Sequence, residues 1–327
     1  MLNQKLLTEN DTKKKVQGLL SSYGIFVIFL LMVLLMSVLS GGRFLRPGNI
    51  LTVLKQVSIN GILSLGMMTV LVTGGIDLSV GSILALAGVV ATSYAHPEPY
   101  YPIWMVIGLG LLVGLVCGLV NGVVVAYLNV PAFIATLGMM SVARGLTMLY
   151  VDGKPVNGLS PAYRFIGRES VLGIPAMVWI LLIFIVVTFI IMHRSVLGRY
   201  IFAIGGNEMA ASASGINTRK IKLFAYAFCG ICCGMAGMLL ASRTNAAAPG
   251  AGSGYELDAI ASAVIGGVST SGGKGRVLGA CVGFLILGII SNGLDLLNVS
   301  SYIQQVIKGL IIVAAVFFDQ RSNARSA

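Results

Sequence analysis

Residues 103–127 read IWMVIGLGLLVGLVCGLVNGVVVAY, 25 residues without a charged side chain. A helix that crosses a bilayer needs about 20 predominantly apolar residues, so this stretch by itself predicts a membrane span. Its glycines recur every four residues, at Gly110, Gly114, Gly118 and Gly122, and therefore share one face of the helix. Such a smooth face allows a neighbouring helix backbone to approach closely. We interpret it as a packing surface without chemistry of its own.

The remainder of the chain has the same apolar character. Hydrophobic residues make up 57% and charged residues 10% of the 327 positions, and the mean hydropathy is +0.93. No water-soluble core could bury this much apolar surface, so the composition predicts an all-α fold, a polytopic membrane helix bundle with some short or broken helices. We predict ten transmembrane helices, of which the eighth and ninth are short and glycine-rich: Tyr23–Ser40, Leu51–Val72, Ser79–Ala95, Ile103–Tyr127, Pro131–Val151, Pro175–Met192, Leu223–Ala241, Leu257–Gly267, Val277–Ile290 and Tyr302–Phe318.

The distribution of basic residues predicts how the chain is oriented. With the N-terminus inside, 13 of the 22 lysines and arginines fall on the inner side and six on the outer side, which is the bias that the positive-inside rule requires. We therefore expect a cytoplasmic tail over residues 1–22, a transmembrane domain over 23–318 that includes a cytoplasmic loop at 193–222, and a cytoplasmic tail over 319–327. The basic start of the chain resembles a signal peptide, but we favour an uncleaved first helix, because a chain that spans the membrane many times needs no removable leader.

Several chemistries lack the residues that they need. The net charge of +11 does not indicate a nucleic-acid partner, because most basic side chains lie beside apolar runs instead of clustering on a solvated face. The motif Cys229-x-x-Cys232-Cys233 has no second ligand pair for zinc, since the only histidines are His96 and His193, in separate loops. The same scarcity of histidine leaves Ser-His catalysis without a base. We therefore expect no metal site, no cofactor and no enzymatic activity.

A few polar residues stand inside or beside predicted spans, where polar groups need partners. Asp77 and Ser79 lie in the stretch GGIDLSVGS at the start of the third span, and either cap that helix or form a conformational hinge beside a water-filled path. Asn60 and Asn121 line such a path or bridge helices. Arg144 requires a partner such as Asp77 or a helix-end carbonyl, either as a structural ion pair or as a residue of the path.

Residues 193–222, HRSVLGRYIFAIGGNEMAASASGINTRKIK, interrupt the apolar pattern with a polar island. A basic, glycine-punctuated segment between two membrane helices indicates a docking site for another protein. Within it, we expect Asn207 to cap a short helix through Ala210, Ala211 and Ala213, whose small side chains permit close insertion into a partner. The alternative interpretation is a solvated connecting loop.

Three long stretches resemble one known family. GGIDLSVGS at residues 74–82, NVPAFIATLGMMSVARGLTMLYVDGKPV at 129–156 and GYELDAIASAVIGGVSTSGGKGR at 254–276 are similar, in this order, to the signature regions of one class of membrane proteins. These are the permease subunits of bacterial sugar-importing ABC transporters, of the ribose, xylose, arabinose and galactose type. The likeness extends from about Asn49 to Asp319, which is nearly the whole chain.

The resemblance implies a permease in the bacterial inner membrane that works with three partners. These are a second permease copy, as a homodimer, a cytoplasmic ABC ATPase subunit and a periplasmic sugar-binding protein. The cargo would be a monosaccharide, either a ribose-type pentose or a related hexose, and the sequence does not reveal which. ATP hydrolysis belongs to the separate subunit, so the permease itself would not be an enzyme.

The resemblance also implies roles for particular residues. The residues expected to couple the permease to the ATPase are Gly205, Gly206, Asn207, Glu208, Ala210, Ala211 and Gly215. The additional Met209 departs from the commonest form of this motif. Tyr255, Glu256 and Asp258 are expected at the outer mouth, where they contact the binding protein or sugar hydroxyls, or else cap the eighth span.

Two further patterns were weighed against this family. The stretch Gly267–Gly275 superficially resembles a phosphate-binding loop, but Gly273 intervenes before the lysine, and Gly275 stands where Ser or Thr would hold magnesium. The alternative function is an ion-coupled secondary transporter of a small polar solute. Such a carrier requires a relay of intramembrane carboxylates, for which the chain offers mainly Asp77 and Asp295.

Overall fold

The computed structural model describes residues 24–324, apart from the side chains of residues 318 and 322–324. The predicted tail over residues 1–22, Tyr23 and the last three residues lie outside this range. The described chain is a bundle of 13 α-helices with four strands of two residues each.

The elements are numbered in chain order. The helices are α1 (Gly24–Leu39), α2 (Pro47–Val72), α3 (Val80–Thr92), α4 (Ile103–Ala126), α5 (Ala132–Tyr150), α6 (Pro161–Arg168), α7 (Ala176–Phe189), α8 (Val196–Gly206), α9 (Glu208–Ala213), α10 (Thr218–Thr244), α11 (Tyr255–Ile265), α12 (Val277–Leu296) and α13 (Ser301–Ala324). A 3-10 turn at Arg43–Leu45 precedes α2, and α7 ends in a π turn at Ile190–Arg194. Strands β1 (Val156–Asn157) and β4 (Ala246–Ala247) pair antiparallel, as do β2 (Ser170–Val171) and β3 (Ile174–Pro175).

All ten predicted spans coincide with helices, so the predicted all-α membrane bundle is confirmed. Seven of the described helices are long and apolar enough to cross a membrane: α2, α4, α5, α7 with its π turn, α10, α12 and α13. Helices α1 and α3 are apolar but shorter. The eighth span is short as predicted, since α11 has 11 residues.

The prediction of a short ninth span is wrong. Helix α12 has 20 residues and continues to Leu296, although it contains several glycines. These glycines do not break the helix because they make room for a neighbour: a Cβ atom at Gly279 would overlap the carbonyl oxygen of Gly266, and one at Gly283 would overlap that of Ser262. The glycines of α12 therefore allow close packing against α11.

The long helix α10 forms the centre of the bundle and packs against α2, α3 and α4. The glycine face predicted on α4 is the surface that contacts it. A Cβ atom at Gly114 would overlap the carbonyl oxygen of Gly230, and one at Gly118 would overlap that of Tyr226. The two backbones are thus in direct contact, as the four-residue spacing predicts, and neither glycine has room for a side chain.

The chain re-enters the bundle after α10, along a stretch that we call the re-entrant segment (residues 246–254). Gly88 of α3 packs against Gly237, whereas Gly81, seven residues earlier in the chain, packs against Gly252. Gly81 and Gly88 are seven helical residues apart, about 10 Å, and Gly237 lies seven residues, about another 10 Å, before the end of α10. The chain therefore travels roughly 20 Å back along the bundle between the end of α10 and Gly252. Helix α11 completes this crossing, so the chain crosses the bundle partly in the turns of the re-entrant segment and partly as a helix.

At the end of the bundle where α8 and α9 lie, a glycine-rich loop (residues 266–276) joins several elements. The backbone N–H of Gly273 donates a 2.9 Å hydrogen bond to the carbonyl of Val72, at the end of α2. The carboxylate of Asp319 accepts hydrogen bonds from the N–H and the hydroxyl of Thr270, each at 3.0 Å. Helix α13 therefore extends through the predicted tail boundary at residue 319 and holds this loop.

Candidate functional site

The polar island predicted between α7 and α10 folds into two short helices with defined caps. The side chain of Ser195 caps α8 by accepting a hydrogen bond from the N–H of Gly198, at 3.2 Å. The side chain of Asn207 caps α9 by accepting one from the N–H of Ala210, at 3.0 Å. Gly215 follows α9 with φ +84°, a left-handed conformation that glycine adopts without strain. The predicted cap at Asn207 is therefore confirmed.

Helix α9 has one buried and one exposed side. Ala211 is buried against the bundle, whereas Ala210 is exposed and Met209 is 82% exposed. Glu208, the first residue of α9, forms a 2.6 Å ion pair with Lys222 of α10. The ion pair and the buried Ala211 attach α9 to the bundle, so that the side with Met209 and Ala210 faces away from it.

Two adjacent glycines at the end of α8 have different surroundings. A Cβ atom at Gly205 would overlap the carbonyl oxygen of Val72 and the amide nitrogen of Gly273. At Gly206, by contrast, it would meet no described atom within 4 Å. Gly205 therefore seats α8 directly on the end of α2 and on the glycine-rich loop. A displacement of α8 must move both of these elements, because no side chain lies between the backbones.

Asp77 lies at the centre of a buried polar cluster before α3. Both the N–H and the hydroxyl of Ser79 donate hydrogen bonds to its carboxylate. The amide of Asn121, on α4, donates to the Ser79 hydroxyl at 2.9 Å and lies 3.4 Å from the carboxylate. The hydroxyl of Thr136, on α5, donates to the carbonyl of Ile76 at 3.3 Å. The connection between α2 and α3 is thus tied to α4 and α5 by hydrogen bonds.

Arg144 does not pair with Asp77. Its guanidinium donates to the carbonyls of Pro249 and Ala251, at 2.6 and 2.8 Å. The sequence predicts either Asp77 or a helix-end carbonyl as the partner of Arg144. The partners are backbone carbonyls, but they belong to the re-entrant segment and not to a helix end. Arg144 satisfies carbonyls that have no helical partner, and so holds the segment against α5.

Glu256 and Asp258 lie in the first turn of α11, directly after the re-entrant segment. The carboxylate of Glu256 accepts a hydrogen bond from the N–H of Gly254, at 3.2 Å. Asp258 is buried and forms a 2.9 Å ion pair with Lys308 of α13. Tyr255 lines an apolar cavity of about 220 Å³ between α3, α10 and the re-entrant segment. Their predicted role at the outer mouth stays a prediction.

Two polar contacts were not predicted from the sequence: the ion pair of Asp258 with Lys308 and the hydrogen bonds between Asn49 and Asn292. Lys308 stands inside the tenth predicted span, where a lysine requires an acidic partner, so its position alone was a signal that could have been used. Asn292 exchanges two hydrogen bonds with Asn49, at 2.9 and 3.0 Å, and these residues are 243 positions apart. Asn60 is buried in α2.

The family model described as branched-chain amino acid transport system / permease component matches residues 49–316. The chain belongs to this permease family. It is therefore a permease subunit. The expected resemblance to ABC importer permeases is confirmed, and the ion-coupled alternative is set aside.

Relatives of this permease carry the names of sugar transport proteins. The chain is 45% identical to the ribose import permease protein of Haemophilus influenzae over 298 residues, which cover 90% of this chain and 91% of the relative. It is 42% identical to the ribose import permease protein of Bacillus subtilis over 326 residues, 99% of this chain and 100% of the relative. It is 40% identical to the D-allose transport system permease protein of Escherichia coli K12, over 91% of each chain. No solved structure matches the chain significantly.

Proposed function

We propose that this permease imports ribose, or a closely related monosaccharide, across the bacterial inner membrane, and that a separate ATPase subunit drives it by docking on α9. The family description speaks of branched-chain amino acids, but the relatives at 42–45% identity that cover at least 90% of this chain are named as ribose permeases. A monosaccharide is therefore the favoured cargo.

The observation that carries the proposal is the seating of α8 and α9. Helix α9 presents an exposed surface of Met209, Ala210 and Ser212, while Ala211 and the Glu208–Lys222 ion pair attach it to the bundle. Gly205 transmits any movement of this surface to α2 and to the glycine-rich loop, because backbone there touches backbone. A partner that pushes on α9 would therefore move the membrane helices without first compressing flexible side chains.

Two clusters are proposed as the moving parts of the translocation path. The hydrogen bonds around Asp77, Ser79 and Asn121 join α3 to α4, close to the backbone that Gly205 contacts. The bonds from Arg144 hold the re-entrant segment, which leads into Tyr255, Glu256 and Asp258 at the start of α11. Movement of α2 and the glycine-rich loop reaches both clusters through α3 and α11. Asn60, inside α2, lies on the same moving helix.

The remaining partners follow from the same proposal. A second copy of the permease would pack on the exposed side of α5, where Gly138 and Gly145 leave room for a close helix contact, since neither has a described atom within 4 Å of the Cβ position. A periplasmic binding protein would deliver the sugar to the end of the bundle that carries β1 and β4. In this orientation both termini are cytoplasmic.

The test is to substitute the cap and the ion pair of α9. In cells that express the ATPase subunit, Asn207→Ala and Glu208→Ala should reduce ATPase co-purification and labelled-ribose uptake together, while membrane insertion of the permease is unchanged. Gln320→Ala is the matched control, because Gln320 is an exposed residue of α13 that belongs neither to α9 nor to the proposed translocation path. Uptake that stays at the wild-type level in both α9 variants would contradict the proposal.

A further inference from the structure

A second cavity, which is polar and has a volume of about 610 Å³, opens beside α9. It is lined by the connection between α2 and α3, the connection between α4 and α5, the start of α9 and the first three turns of α10. We call it the α9 cavity. Its volume lies within the range of about 300–1,000 Å³ that is typical of small-molecule sites, and it shares no residue with the apolar cavity beside Tyr255.

The charges of the α9 cavity cancel. Glu208 and Lys222 are the only charged residues among those that line it, and they form an ion pair with each other. A site without net charge does not favour an anion or a cation over a neutral molecule. The side chains of Thr73, Asn129 and Tyr226 add neutral polar groups to the wall.

The α9 cavity also has apolar lining residues. They are Val125, Val130, Pro131 and Ala132, at the end of α4 and the start of α5. A monosaccharide has the complementary character, because its ring carries an apolar C–H surface while its hydroxyl groups both donate and accept hydrogen bonds. A lining that combines carboxylate, ammonium and phenol groups with apolar side chains matches this distribution.

One group at the floor of the cavity lacks a partner. Tyr226 is fully buried, and within residues 24–324 no hydrogen-bond partner is found for its hydroxyl. The hydroxyl lies against Gly75, where a Cβ atom would stand 2.6 Å from it. Tyr226 also lies one helical turn from Lys222, so the two share a face of α10. A buried hydroxyl without a partner costs free energy, and a bound hydroxyl compound would remove that cost.

We propose that the α9 cavity is a binding site for the transported sugar on the face of the permease that carries the ATPase-docking helix. The proposal rests on the proposed function, and it adds a site that contacts the coupling helix directly. Bound sugar would form hydrogen bonds with Glu208, Lys222 and the hydroxyl of Tyr226. Because Glu208 is the first residue of α9, the occupied site connects the sugar to the helix on which the ATPase acts.

A cysteine in the wall reports occupancy of the α9 cavity itself. The full-length permease carrying Ala132→Cys is reconstituted in liposomes, and a small membrane-impermeant thiol reagent is applied to the α9 side, with D-ribose as the probe. Four of the five native cysteines are buried and Cys281 is half-buried, so the parent protein supplies a low background. We expect D-ribose to slow labelling in a saturable manner.

The matched variants separate the site from other effects. Adding Tyr226→Phe removes only the hydroxyl, and should raise the half-protecting concentration of D-ribose about five- to tenfold, the loss expected for one hydrogen bond. Tyr302→Phe makes the same chemical change on a residue of α13 that is 82% exposed, and should leave this concentration unchanged. Because the Tyr226 hydroxyl has no partner in the described chain, its removal should not unfold the protein.

Three results would overturn the proposal. These are no protection by D-ribose, equal protection in the wild-type and Tyr226→Phe backgrounds, and protection by inorganic phosphate in place of ribose. ATP-driven ribose uptake, measured with the ATPase subunit in matching liposomes, separates failure of this inference from failure of the proposed function. If ribose is transported but does not protect, only this inference fails. If ribose is not transported, the proposed function fails and this inference fails with it.

Discussion

The contact between α8 and α2 can be tested by adding one carbon atom. Gly205→Ala places a methyl group where the carbonyl oxygen of Val72 and the amide nitrogen of Gly273 already lie, and 2.9 Å from the carbonyl carbon of Val72. Ordinary carbon contacts are about 3.5–4.0 Å, and all the overlapping atoms belong to the backbone. The substitution must therefore push α8 away from the end of α2.

The size of the effect follows from two contributions. Overpacking of a tight contact costs about 1–3 kcal/mol. The 2.9 Å hydrogen bond from Gly273 to Val72 lies in the same contact, and its loss adds about 0.5–1.5 kcal/mol. We expect a total loss of roughly 2–4 kcal/mol, which is a large part of the stability of a typical domain. Gly206→Ala is the control, because no described atom lies within 4 Å of its Cβ position and alanine favours a helix by about 1 kcal/mol.

Two measurements report the result. Thermal unfolding of the detergent-solubilised permease should show a lower midpoint for Gly205→Ala and an unchanged or higher one for Gly206→Ala. In liposomes with the ATPase subunit, Gly205→Ala should also lower the amount of ribose imported per ATP hydrolysed, because α8 no longer touches α2. Equal behaviour of the two alanine variants in both assays would refute the reasoning.

Three further predictions concern packing and buried polar contacts. Gly118→Ala should lower the thermal midpoint of the detergent-solubilised permease, because a Cβ atom would overlap the carbonyl of Tyr226. Gly108→Ala should leave the midpoint unchanged, because no described atom lies within 4 Å of its Cβ position. Equal midpoints would contradict the backbone contact between α4 and α10. Lys308→Met should lower stability by about 2–4 kcal/mol, because it leaves Asp258 buried and unpaired. The double variant with Asp258→Asn should recover part of this loss. A double variant that loses the sum of both single effects would argue against the pair. Arg144→Met should release the re-entrant segment and increase thiol labelling of an introduced Ser253→Cys. Arg144→Lys keeps the charge and should increase the labelling less. Unchanged labelling in the methionine variant would show that other contacts hold the segment.

The features that the sequence predicts correctly are those that depend on neighbours in the chain. The glycine repeat on α4 predicts its packing face because helical periodicity alone determines which residues share a face. Asn207 predicts the start of α9 because a cap needs only the three residues that follow it. The family was also predictable, because its motifs are long contiguous stretches.

Other features depend on residues far apart, which no local pattern reveals. The partner of Asp258 is 50 positions away on α13, and the reciprocal pair of Asn49 and Asn292 joins α2 to α12. The length of α12 was mispredicted for the same reason. The predicted ninth span stops at Ile290, whereas α12 continues to Leu296, and Gly279 and Gly283 do not interrupt it because the backbone of α11 fills the space beside them.

The central claim is that an ATPase acting on α9 drives sugar through the bundle. The most direct measurement is the accumulation of labelled ribose in liposomes that contain the permease, with and without the ATPase subunit, and with ATP supplied on the α9 side. The account predicts that accumulation against a gradient requires both the subunit and ATP, and is lost in the Glu208→Ala variant. Accumulation by the permease alone, on a proton or sodium gradient without nucleotide, would contradict it.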